Sequence, residues 1–171
     1  IEIAGGNLTI LIPGADRDAI KCAGTIQIAA GVLDLTVQGN QSKGLNAADI
    51  LLTGGTVTMH TSGGVVLEAS GLGFDPSYCT GIKGDNLVQL DGCALSITTT
   101  GIAGRGISCD GDIVMLSGSC SITSSGDGGT YTNATGVLDA YHGPCLNADA
   151  DIVLSDGTIT LAHSGSAGKG I

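Results

Sequence analysis

Apolar and polar residues alternate with a period of two along most of this chain, and the alternation repeatedly bends around a glycine. Ile1-Glu2-Ile3-Ala4-Gly5-Gly6-Asn7-Leu8-Thr9-Ile10 aligns without a gap on Ile152-Val153-Leu154-Ser155-Asp156-Gly157-Thr158-Ile159-Thr160-Leu161. The stretches Asp49–Met59 and Asp112–Ile122 follow the same pattern. A period of two on both sides of a central Gly predicts two short half-buried strands with a bend between them. No segment carries a convincing helical period.

A second register runs through the chain. The apolar heads Ile20, Leu45, Ile82, Ile107, Leu146 and Ile171 are separated by 25, 37, 25, 39 and 25 residues. This reads as a 25-residue period with two insertions, at 63–78 and 126–142. A fixed period of that length marks a stacked repeat architecture. Two strands per repeat plus a third at the head, stacked in register ~4.8 Å apart, predict parallel pairing with one apolar column per face. The fold class expected is therefore all-β: a right-handed single-stranded parallel β-helix of about six ~25-residue coils, forming one domain over 1–171 with two inserted loops. A leucine-rich repeat lacks support, because Leu-x-x-Leu-x-Leu with an Asn ladder is absent.

Composition agrees with thin layers. The chain has 171 residues, 30 Gly, 3 Pro, no Trp, 1 Phe and 3 Tyr, so its core must be built from Ile, Leu, Val and Ala. Sixteen acidic against six basic residues give a net charge of −10, a field that repels phosphate backbones and argues against nucleic acid as a partner. No apolar run reaches membrane-spanning length, so membrane insertion is not expected. The chain reads as a mature fragment of a longer exported protein, located outside the cell or on its surface. Of the six cysteines, Cys22 and Cys109 share a repeat position three coils apart, too far to bond, whereas Cys93 and Cys120 fall in adjacent coils. None has zinc-type spacing.

The two insertions hold every aromatic residue: Phe74, Tyr78, Tyr131 and Tyr141. They sit at one corner of coils two apart, with roots ~10 Å from one another, so the loops are expected to meet. Rings kept out of the core and gathered in neighbouring loops suggest a binding role; the alternative is a small satellite core that holds the loops down.

Two further columns carry candidate chemistry. Asp110-Gly111-Asp112 and Asp149-Ala150-Asp151 precede the same strand in consecutive coils, with Asp85-Asn86 in the coil before. With Ile113 and Ile152 pointing inward, period two sends the four Asp outward into one patch. Carboxylates and spare turn carbonyls are the ligands Ca²⁺ takes, so Asp85, Asn86, Asp110, Asp112, Asp149 and Asp151 are the candidate metal ligands. The alternative is that Asp and Asn merely suit tight corners. Lys43, Arg105 and Lys169 lie two before a head, and Lys21 and Lys83 one after it. A row of cations in an acidic protein suits an anionic sugar chain, or else neutralises the nearby Asp columns. Lys43, Lys83 and Arg105, with Tyr78, Tyr131, Tyr141 and Phe74, are the candidate carbohydrate-binding residues. Outward Ser and Thr rows such as Thr58, Ser121 and Thr160 are ordinary on a parallel sheet.

Catalytic motifs are missing. There is no Gly-x-Ser-x-Gly, phosphate loop or His-Glu metal motif, and His60, His142 and His163 fall at unrelated repeat positions.

The segment Gly106-Ile107-Ser108-Cys109-Asp110-Gly111-Asp112-Ile113, with its counterpart over 143–160, resembles the secreted bacterial "carbohydrate-binding domain-containing" parallel β-helix family. The likeness covers nearly all the chain outside the insertions. It implies a calcium-bearing fold similar to pectate lyases that binds acidic plant polysaccharide such as polygalacturonate. It places the family's Asp-Gly-Asp on Asp110 and Asp112 and on Asp149 and Asp151; Cys22-Ala23-Gly24-Thr25 departs from it. The function expected is non-catalytic, calcium-assisted binding of such a polysaccharide. The alternatives are a lyase or hydrolase, with Arg105 or Lys83 as base, and a structural or adhesive shaft.

Overall fold

The computed structural model describes all residues, 1–171, and contains sixteen strands. The first eight are β1 (Glu2–Ile12), β2 (Asp18–Val37), β3 (Lys43–Leu52), β4 (Thr56–Thr61), β5 (Val66–Ser70), β6 (Gly73–Ser77), β7 (Thr80–Leu90) and β8 (Ala94–Thr99). There follow β9 (Arg105–Cys109), β10 (Asp112–Met115), β11 (Ser119–Ser124), β12 (Gly129–Thr132), β13 (Leu138–Tyr141), β14 (Leu146–Ala148), β15 (Ile152–Leu154) and β16 (Thr158–His163).

Twelve strands form one parallel sheet whose longest path is β14-β9-β7-β3-β2-β4-β8-β11-β16. Each insertion makes its own antiparallel hairpin, β5–β6 and β12–β13. The all-β expectation stands, but the six-coil single-stranded β-helix does not: the strands join in one sheet with two small antiparallel sheets beside it. The reason lies in β2. It runs for 20 residues through the glycine at which a break between separate strands was expected. Its first half pairs with β3 and its second half with β4, so it ties two ladders into one. The bend survives within the strand as the positive φ of Gly31 and the register shifts opposite it, between Ile3 and Asn7 of β1.

The register itself follows the repeat. Ile20 pairs with Leu45, Leu45 with Ile82, Ile82 with Ile107 and Ile107 with Leu146, so the heads are neighbours across five strands. All five are buried, within a continuous core of Ile, Leu, Val, Met and Cys that holds no aromatic ring. The recurrent glycine has a backbone reason. Gly31, Gly55, Gly118 and Gly157 adopt φ of 97°, 76°, 95° and 97°, a left-handed region closed to most side chains. All six cysteines are free; five are buried and Cys22 is partly exposed. Burial pushes the thiols of Cys79 and Cys120 up to about 11 and about 12, so they act as small apolar fillers.

The two hairpins meet as expected of the insertions. The Leu72 N–H donates to the Ala134 carbonyl at 2.8 Å, and Phe74 bridges Asn133. The Asn133 side chain organises the second hairpin's turn, its Oδ1 accepting from Thr135 N, Thr135 Oγ1 and Val137 N at 3.0, 2.7 and 3.1 Å. The tips of the two hairpins are thereby tied to each other, while the root of the first, at Pro76–Tyr78, borders a pocket on the sheet.

Candidate functional site

Strands β3, β7 and β9 lie side by side, and their register fixes which side chains share a surface. Lys43 pairs with Thr80 and Thr80 with Arg105, forming one row; Lys83 pairs with Ser108 and Ser108 with Asn147, forming a second. The end of β6 closes one side with Pro76, Ser77 and Tyr78, and the turns after β9 and β14 add Asp110 and Asp149. Together these residues line a pocket of about 260 Å³, polar almost throughout. Lys43, Lys83 and Arg105 bring half the protein's six basic residues into it.

Arg105 is the centre of the pocket. Its guanidinium carbon stands 3.4 Å from the centroid of the Tyr78 ring, a cation–π contact. Its Nη1 donates to Ser108 Oγ at 3.5 Å, and its Nε is buried with no partner. Burial lowers the Arg105 pKa, and Tyr78, Asp149 and Asp110 oppose that shift. Burial likewise raises the Tyr78 pKa, against the pull of Arg105. A half-hidden cation with an idle N–H donor is an incompletely satisfied group, and an anion reaching it would complete its hydrogen bonding. Lys83 is held differently: its Nζ donates to the Gly84 carbonyl at 3.1 Å and forms an ion pair with Asp110. The Lys43 Nζ donates to the Gln41 carbonyl at 2.7 Å.

The structure therefore brings Lys43, Lys83, Arg105 and Tyr78 together. Phe74, Tyr131 and Tyr141 lie on the hairpins outside the pocket lining. The Tyr131 and Tyr141 rings are 6.2 Å apart and tilted by 39°, with the Tyr131 hydroxyl 3.4 Å from Asp139 Oδ2. Thr80, Ser108 and Asn147 were not singled out from the sequence, although a signal existed. Thr80 occupies the repeat position of Lys43 and Arg105, and Ser108 and Asn147 that of Lys83. Only the charged members of these columns stand out by residue type. Pro76 and Ser77 carry no such register and needed the hairpin to place them.

The Asp-bearing turns also stack. The Asp110 N–H donates to the Gly84 carbonyl at 3.1 Å and the Asp149 N–H to the Cys109 carbonyl at 3.0 Å; Gly111 lies against the Asn86 backbone. Ile113 pairs with Ile152, as the inward column required. Several of these side chains are engaged by other groups. Asp110 is ion-paired to Lys83, Asp112 Oδ1 accepts the Asp151 N–H at 3.0 Å, and Asp149 lines the pocket with Arg105. Nowhere do three acidic, His or Cys side chains converge as metal ligands. Asp85, Asn86, Asp110, Asp112, Asp149 and Asp151 thus form a stacked acidic edge, of which Asp110 and Asp149 line the pocket.

A family profile described as carbohydrate-binding domain-containing protein matches residues 1–128. That span includes β1 to β11, and so every cation of the pocket and Tyr78. No curated protein and no solved structure matches the chain. The profile covers well over half of the sequence, and the chain belongs to the carbohydrate-binding domain-containing family.

Proposed function

We propose that the pocket between β3, β7, β9 and the root of the first hairpin binds an acidic residue of a polysaccharide without transforming it. One observation carries this reading: in a protein of net charge −10, three cations line a single pocket, and the buried Nε–H of Arg105 has no acceptor. A sugar carboxylate supplies that acceptor, and Lys43 and Lys83 add charge from the flanking rows. Thr80, Ser108 and Asn147 offer hydrogen-bonding groups of the kind sugar hydroxyls require. Binding of a carbohydrate agrees with the family; the preference for an acidic one rests on the pocket's charge.

Calorimetric titration with a uronate-bearing oligosaccharide and with its neutral counterpart of equal length tests the proposal. The acidic ligand is expected to bind, more weakly as salt rises, and the neutral one at least tenfold less tightly. Equal affinity for the two would remove the acidic preference. Appearance of an unsaturated or shortened product during the titration would replace binding with catalysis.

A further inference from the structure

The first hairpin is amphipathic. In its antiparallel register Leu67 faces Pro76 and Ala69 faces Phe74, whereas Glu68 faces Asp75 and Ser70 faces Gly73. Pairs alternate between faces, so Leu67, Pro76, Ala69 and Phe74 share one side and the carboxylates take the other. Pro76 lines the pocket. Phe74, two residues nearer the tip, lies ~7 Å farther out on that same side, and it is 41 % exposed. Ser77 of the other face reaches the pocket as well, so both faces of the hairpin root border it; on the Pro76 side the border runs outward as an apolar strip with the Phe74 ring at its end.

Charge changes abruptly along this path. The six basic residues are Arg17, Lys21, Lys43, Lys83, Arg105 and Lys169, and none lies on either hairpin. Glu68 and Asp75 sit directly opposite each other without a cation between them, and Asp139 lies on the adjoining hairpin. A second carboxylate of a bound chain placed here would be repelled; the apolar face of an uncharged sugar ring would not.

We infer that the Pro76–Phe74 strip is a subsite for uncharged sugar residues, so that the preferred ligand is a glycan bearing its acid at the pocket and neutral units beyond it, rather than a uniform polyuronate. The inference rests on the pocket reading above and narrows its substrate class. The hairpin tip that carries the strip is seated on the second hairpin through Leu72 to Ala134 and Phe74 to Asn133.

The test compares three ligands by NMR or calorimetry: a free uronic acid, a neutral oligosaccharide ending in one uronate, and an oligouronate of the same length. In the native protein the acid-terminated oligosaccharide is expected to bind about threefold to tenfold more tightly than the free acid, the gain of one ring contact. The oligouronate is expected to gain nothing over the free acid. Phe74→Ala should erase the length gain and leave free-acid affinity unchanged, and Phe74→Trp should retain it; a thermal melt confirms that both variants fold. A gain for the oligouronate equal to that of the mixed glycan, or a gain that survives Phe74→Ala, overturns the subsite while leaving the pocket intact. Failure of the free acid and of both oligomers to bind overturns the pocket and the subsite together.

Discussion

Arg105 and Tyr78 are coupled across a distance of 3.4 Å, the guanidinium lying over the phenol ring, although one comes from the repeating sheet and the other from the end of an inserted hairpin. The ring covers the guanidinium, and the buried Nε–H has no protein partner. Lysine cannot reproduce that geometry, since its ammonium has no fork and stacks poorly. Arg105→Lys is therefore expected to weaken binding of an acidic oligosaccharide by roughly tenfold to thirtyfold, about 1.5–2 kcal/mol. Titration calorimetry against the native protein measures this, and a loss below twofold would show that the fork is not used.

Asp110 competes with any acidic ligand for Lys83. Its carboxylate is 60 % exposed, so the ion pair adds little to stability. Asp110→Asn is expected to tighten binding of an acidic sugar severalfold while the unfolding free energy changes by less than about 1 kcal/mol. Were Asp110 instead a ligand for calcium, the same substitution would weaken binding and abolish any response to calcium and EDTA. Affinities measured with calcium and with EDTA distinguish the two.

The head column carries the sheet. Ile82 is fully buried between Leu45 and Ile107 on the neighbouring strands. Ile82→Ala removes its packing at a place where the flanking strands, fixed by ladder hydrogen bonds, cannot close the gap. The expected cost is about 2–5 kcal/mol in urea unfolding. A cost below about 1 kcal/mol would mean that the column is loosely packed.

How much of this was legible in the sequence follows from where regularity held. The head column, the positive-φ glycines and the stacking of the Asp turns depend on a 25-residue period that residues display directly. The global arrangement was misread because periodicity specifies which residues become neighbours, not whether a strand breaks at its glycine. In β2 the backbone bends at Gly31 and continues, and that continuity merges the two ladders. At the site, Lys43, Lys83 and Arg105 were visible as charges in two neighbouring columns. Tyr78 was visible only as an aromatic residue, and its place above Arg105 depends on the fold of a non-repeating insertion. The partners of the Asp turns were not legible: Lys83 engages Asp110 and the Asp151 N–H engages Asp112, contacts between coils that residue type alone does not display.

His142, just beyond β13, reports on the hairpin root. Burial lowers its pKa below the ordinary 6.5, and Lys169 and Arg105 push the same way against Asp139. The fold thus favours the neutral imidazole. Its contribution is whole above about pH 6.5 and is lost as pH falls through the lowered folded value. Between about pH 7 and pH 5 the native protein should therefore lose more thermal stability than His142→Gln, whose side chain does not titrate. Parallel pH profiles of the two melts check this, and identical profiles would show that the imidazole titrates as in the unfolded chain.

The most direct measurement is the ¹⁵N–¹H signal of Arg105 Nε during titration with an acidic oligosaccharide. A carboxylate docking on the idle donor predicts a progressive downfield proton shift with the acidic ligand, and none with its neutral counterpart. Binding that leaves the Arg105 Nε signal in place would contradict the account, because the sugar would then be held somewhere other than this pocket.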